Sequence, residues 1–172
     1  MAVIIQESGM TFGPFANEHC FWIEKSAIYG KIQGGVKIAE FILLQPDQNS
    51  LFVLEAKTSS PNPQNGESRY KFEDYITEIA EKLLNALTLG VTSCLERHID
   101  IKNEVPIGFK NLAYNSLKII LILVIKDHKQ EWLSPVNDAL KKKLAAAIKT
   151  WPLNIIVLNE SLARRNGLLI NT

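Results

Sequence analysis

The chain has 172 residues, 47% hydrophobic and 22% charged, with a formal net charge of +1. That balance suits one folded domain over residues 1–172 and excludes a disordered or collagen-like chain, while pointing neither towards nor away from a polyanionic partner. Two cysteines (Cys20, Cys94) make no disulfide framework, and with His19, His98 and His128 they are too scattered for a zinc signature, so a reducing cytoplasm is the expected setting.

No membrane span is expected, because the longest apolar run, residues 119–125, falls far short of the ~20 residues a bilayer crossing needs. The first residues also lack the basic start and long apolar run of a signal peptide. Residues 19–25 alternate like a strand, and residues 26–32 suit a short helix. Residues 36–45 and 50–58 form two apolar arms around Pro46-Asp47-Gln48-Asn49, which predicts a β-hairpin. Residues 58–68, rich in Ser, Pro, Asn and Gly, form a loop. Phe72, Tyr75, Ile76, Ile79, Ala80, Leu83, Leu84 and Leu87 recur with helical spacing, and Glu73, Asp74, Thr77, Glu78, Glu81 and Lys82 fill the other face. This helix either ends at Gly90 or runs on towards Arg97.

Residues 118–125 (KIILILVI) read as a strand buried on both faces. Ser134-Pro135 looks like a cap and first helical residue, with Val136, Leu140, Leu144 and Ile148 as the buried stripe and Trp151-Pro152 as the stop. Residues 154–158 form another strand, parallel to the one before. The result is an α/β domain with a central mixed sheet, an early β-hairpin and flanking helices. From Lys118 onward nine Lys and Arg side chains face four acids. They supply either a phosphate-facing surface or an ordinary solvated helix face.

The hairpin carries the chemistry. A four-residue turn pairs Gln45 with Ser50 and therefore Glu40 with Glu55, since an antiparallel register keeps each paired sum constant. Two carboxylates directly opposed are destabilising unless a cation lies between them, and hard ions such as Mg²⁺ favour such ligands. Lys57, two positions on from Glu55, leaves the same face of the strand. An ammonium there can orient a water and offset charge on a scissile phosphate.

An acid on one strand followed by Glu-x-Lys at the end of its neighbour resembles the PD-(D/E)xK nuclease superfamily. The resemblance implies a restriction-endonuclease-like αβββαβ core, Mg²⁺ (or Mn²⁺) on Glu40 and Glu55, assistance from Lys57, and hydrolysis of DNA (or RNA) phosphodiesters. It covers residues 36–125, though the motif itself is three residues. The first acid is Glu rather than the usual Asp. Glu24 is a further candidate acid, since such nucleases often add one from an early element; the alternative is an ion pair with a neighbour such as Lys25. The literal Pro46-Asp47 invites assignment as the PD, but Asp47 lies eight residues from Glu55, some ~25 Å along a strand, and Pro-Asp is ordinary turn chemistry.

Acid-x-Lys triplets also occur at Asp100-Ile101-Lys102 and Asp127-His128-Lys129, neither preceded by a hairpin that opposes a second acid, though the latter follows a buried strand and stays a competitor. Ser59 and Ser60 serve either a phosphate or the turn, and Trp22, Trp132 and Trp151 suit core or boundary positions. The competing functional readings are a catalytically inactive nuclease-like nucleic-acid-binding or scaffold protein, with the charges merely paired, and an unrelated α/β interaction protein. No target-recognition domain is visible, so sequence preference would call for a homodimer, a partner in a larger complex, or structure-selective binding.

Overall fold

The computed structural model describes residues 1–62, 69–98, 103–110 and 112–170. The chain opens with a β-hairpin, β1 (Ala2–Glu7) and β2 (Met10–Ala16), closed by Ser8 and Gly9. Both turn residues have positive φ, +51° and +70°, as the tightest two-residue hairpin turn requires.

A five-stranded mixed sheet follows, in the order β3 (Cys20–Phe21), β4 (Phe41–Gln45), β5 (Ser50–Lys57), β6 (Lys118–Ile125) and β7 (Asn154–Asn159). β3, β4 and β5 are antiparallel neighbours, whereas β5, β6 and β7 run parallel. The expected strand over residues 19–25 is reduced to Cys20–Phe21, flanked by 3-10 turns at Asn17–His19 and Ile23–Lys25. The short helix is present as α1 (Ala27–Ile32), with the Ser26 hydroxyl capping Tyr29 N–H. The Glu104 carboxylate accepts from the N–H groups of Ala27 and Ile28.

The hairpin register is the expected one. Gln45 pairs with Ser50 and Phe41 with Leu54, and Glu40 N–H donates to Leu54 O at 3.0 Å. The first arm is shorter than its apolar pattern suggests: residues 36–40 lack strand geometry, and although Glu40 still bonds β5, Ala39 N–H donates to Lys82 O and Lys37 O accepts from the Asn85 side chain.

α2 (Arg69–Cys94) packs on one face of the sheet. It runs through Gly90, which is not a stop. A side chain there would place its Cβ 2.4 Å from Ile42 Cδ1, so the glycine permits close approach of helix and sheet. The single helix expected from Ser134 is two, α3 (Leu133–Lys143) and α4 (Ala145–Thr150), interrupted where Leu144 leaves helical geometry at φ −96°, ψ 15°. Ser134 is inside the first turn, and the capping position is Trp132, whose side chain makes no capping bond. Lys141, Lys142 and Lys143 occupy the last turn of α3, exposed and favourable to the helix dipole.

The sheet separates two apolar layers. Ile42, Leu44, Leu51, Val53, Leu121 and Leu123 meet α2 and α3. Phe41, Leu43, Leu54, Ile122 and Val124 meet the β1–β2 hairpin, α5 (Glu160–Arg165) and residues 168–169. Phe12 and Phe15 pack on Phe41 with ring centroids 5.4 and 5.7 Å away. Among the described residues no helix is long and apolar enough to cross a membrane.

Candidate active site

Glu55 lies at the C-terminal end of β5 and Glu40 immediately before β4, so both stand at one rim of the sheet. In open α/β sheets this carboxyl end of the parallel strands is where ligands generally bind. Glu55 is fully buried and Glu40 4% exposed, a costly placement for carboxylates that lack compensation.

Compensation at Glu55 comes from two ammonium groups on the same oxygen. Lys82, reaching in from α2, donates to Glu55 Oε1 at 2.8 Å. Lys57 Nζ stands 3.4 Å from that oxygen and 3.1 Å from Glu78 Oε1. Burial still raises the Glu55 pKa, with the two lysines opposing it. At Lys82 burial favours the neutral amine, but Glu55, Glu40 and Glu78 outweigh it and hold the ammonium. Burial likewise works against the Glu78 carboxylate, and Lys57 and Lys37 overcome it, keeping its pKa low. The other oxygen of Glu55, Oε2, is buried with no hydrogen-bond partner.

Glu40 meets acids instead. Glu24 sits in the 3-10 turn Ile23–Lys25, whose Glu24 N–H donates to Glu40 O at 3.2 Å. Glu7 arrives from the last position of β1. One carboxylate oxygen from each of Glu7, Glu24 and Glu40 lies within 4.8 Å of the others. Burial first, then the charges of Glu55, Glu24 and Glu7, push the Glu40 carboxyl up to about 9. Its Oε2 and that of Glu24 are buried without hydrogen-bond partners, although Lys25 Nζ stands 3.4 Å from Glu24 Oε2. Orphaned carboxylate oxygens at one rim are what a divalent cation would satisfy. An all-oxygen donor set suits Mg²⁺ or Mn²⁺ rather than a thiolate- or imidazole-seeking metal.

The expected residues Glu40, Glu55, Lys57 and Glu24 therefore come together. Asp47 does not. It is exposed in the Pro46–Gln48 turn, at the far end of the five-residue strand that begins beside Glu40. The triplet at 127–129 follows β6 with Asp127 and Lys129 exposed, while His128 is buried against Trp132 and Ser60. Asp100-Ile101-Lys102 falls on residues outside those described. Ser60 bonds His128 Nδ1 and Pro61 O, a turn role.

Three participants escaped the pattern reading. Lys82 and Glu78 belong by period to the polar side of α2, yet they border the apolar stripe closely enough for long side chains to reach Glu55 and Lys57. Glu7 depends on a hairpin whose one local signal is Ser8-Gly9 between two apolar stretches. No protein-family model matches this chain, and no curated protein or solved structure matches it.

Proposed function

We propose that this protein is a metal-dependent nuclease that hydrolyses phosphodiester bonds of DNA, with the restriction-endonuclease-like arrangement its motif resembles. The reading is supported above all by one observation: two buried carboxylates, Glu40 and Glu55, opposed across a hairpin, each with an unpartnered buried oxygen. Beside them Lys57 holds its ammonium at the half-buried rim. The strand order departs from αβββαβ in one respect, since only β4 and β5 lie between α1 and α2, the third antiparallel strand, β3, preceding α1.

Glu40 and Glu55 are the residues that would hold the cation, which when bound supplies Lewis-acid stabilisation of charge developing on the phosphoryl oxygens. The chain's own contributions are positional. Lys82 fixes the Glu55 carboxylate through Oε1, which leaves Oε2 directed to ligand duty. Lys57, steadied by Glu78, orients a water and offers an ammonium to a non-bridging phosphate oxygen. Water adds to phosphorus as one P–O ester bond breaks, leaving a phosphomonoester and an alcohol.

The test is nicking of supercoiled plasmid with Mg²⁺ or Mn²⁺. Lys57→Ala is expected to lower the rate at least about 100-fold, the scale of losing one preorganised charge donor, while the circular dichroism spectrum stays unchanged. Absence of cleavage of DNA or RNA by the unmutated protein with either metal overturns the reading. Salt-sensitive DNA binding without turnover would instead favour the inactive nucleic-acid-binding reading.

A further inference from the structure

We infer that a cleft at the carboxyl ends of β6 and β7, bordered by Lys126, His128 and Arg164, holds a phosphodiester of the substrate strand beside the one that is cut. This rests on the reading that the chain cuts phosphodiesters at Glu55 and Lys57, and it adds a contact that those residues do not supply.

The cleft, of about 380 Å³, lies on the same rim of the sheet as the candidate active site. Lys126 N–H donates to Lys57 O at 2.9 Å. Ile125, just before it, pairs with Lys57 on one side and Asn159 on the other, so cleft and motif stand within two strand spacings, ~10 Å, of each other. Ile125 belongs to the α2 layer, and its partner Lys57 bonds Glu78 of that helix. Side chains alternate along the strand, so Lys126 leaves on the opposite face, against Gly9 of the β1–β2 hairpin. A polynucleotide touching both lysines therefore crosses the rim.

His128 gives the independent sign of a ligand. It is 8% exposed and packs edge-to-face on Trp132. Ser60 Oγ stands 3.3 Å from its Nδ1, and a hydroxyl donated there leaves the ring proton on Nε2. Nε2 is buried with no partner, a costly state for a donor. A phosphate oxygen in the cleft supplies the missing acceptor. Asn159 fixes this segment, its Nδ2 donating to His128 O and its Oδ1 accepting from Leu162 N–H of α5.

The charges are also held in place. Glu160 and Ile170 O hold the Arg164 guanidinium, so little ordering remains when an anion arrives. Lys126 is half-buried, and among the described residues no carboxylate pairs with its ammonium. Gly9, at φ +70°, lies so close that a Cβ would be 3.0 Å from Lys126 Nζ. That turn is tied to β5 by Ser8 Oγ, which donates to Ala56 O at 3.0 Å. Lys126 and Arg164 against Glu160 leave one positive charge at the cleft. That matches a phosphodiester better than the dianionic monoester at a strand end.

DNA binding in EDTA, which withholds the metal, tests this without relying on cleavage. Fluorescence anisotropy over a salt series gives the slope of log affinity against log salt. Lys126→Gln is expected to reduce that slope by about one and to weaken binding roughly eightfold at 0.1 M salt, one phosphate contact's share. His128→Gln should weaken it roughly twofold to tenfold, the range of one hydrogen bond. If circular dichroism shows that this buried variant does not fold, Lys126→Gln decides alone. Replacing one linkage at a time by a neutral methylphosphonate should find a position whose cost disappears in Lys126→Gln. An unchanged slope and affinity in Lys126→Gln, or a loss seen only with 5′-phosphorylated ends, overturns the subsite; plasmid nicking by the unmutated protein then leaves the nuclease reading standing. The expected change of slope, with no cleavage by the unmutated protein under either metal, does the reverse.

Discussion

Glu55 and Glu40 stand opposite one another and live in contrary electrostatic surroundings. Glu55, the more buried, has two lysines on one oxygen. Glu40 has three acids around it, Glu55, Glu24 and Glu7. Burial alone therefore does not decide the state of a carboxylate at this rim; the neighbouring elements do. Helix α2 brings cations to one side of the hairpin, whereas the N-terminal strands and the 3-10 turn bring anions to the other. The Glu55 half is complete in the folded chain. At the Glu40 half, burial and the neighbouring acids favour the protonated carboxyl.

The comparison can be broken hardest at Lys82. Lys82→Met leaves Glu55 buried with only the longer contact to Lys57, and breaking a buried pair by removing one partner costs about 3–5 kcal/mol. Urea unfolding should show a loss near the lower end of that range, because Lys57 remains; a loss under about 1 kcal/mol would mean that Lys82 acts as a surface charge.

Next comes Glu40→Gln, which sharpens the contrast. The Glu40 carboxyl titrates at about 9 in the folded protein but near the usual ~4.3 when unfolded. Between these values the native state holds a proton that the unfolded chain releases, so this group's contribution is full at low pH and is lost as pH rises towards 9. Glutamine does not ionise. In EDTA the variant should match the unmutated protein near pH 4 and melt higher at pH 8; parallel melting curves across that range would contradict the acid cluster. The smallest effect is expected at the other end of the hairpin, where Asp47→Ala should change stability by no more than about 0.5 kcal/mol and leave plasmid nicking intact.

The legible part of this molecule was the part governed by local periodicity. Pro46–Gln48 and the alternating arms set the register that opposes Glu40 and Glu55, and an unbroken apolar run marks β6. What stayed hidden depends on contacts distant in sequence. Lys82 looks like any polar helix residue until α2 lies on β5 and its amine finds a buried carboxylate 27 residues earlier. Gly90 looks like a helix stop because nothing nearby in the chain reveals Ile42 against it. Glu7 is a plain strand-end acid until the hairpin docks. The break at Leu144 has no proline or glycine to announce it.

That docking involves the opposite end of the described chain. Gly13 N–H donates to Leu168 O, Ile170 N–H donates to Thr11 O, and Phe12 bridges Leu169, so residues 168–170 serve as a third strand-like partner along β2. A two-stranded hairpin by itself is marginally stable in water. During translation at roughly 5–20 residues per second, the 160-odd residues between Glu7 and that clasp take on the order of ten seconds or more to make. The lysine-paired half of the rim draws on β4, β5 and α2 and on the pairing of β5 with β6, all made before that clasp. The acid-rich half is secured only once the clasp has been synthesised, so the placement of Glu7 beside Glu40 would be among the last features the nascent protein acquires.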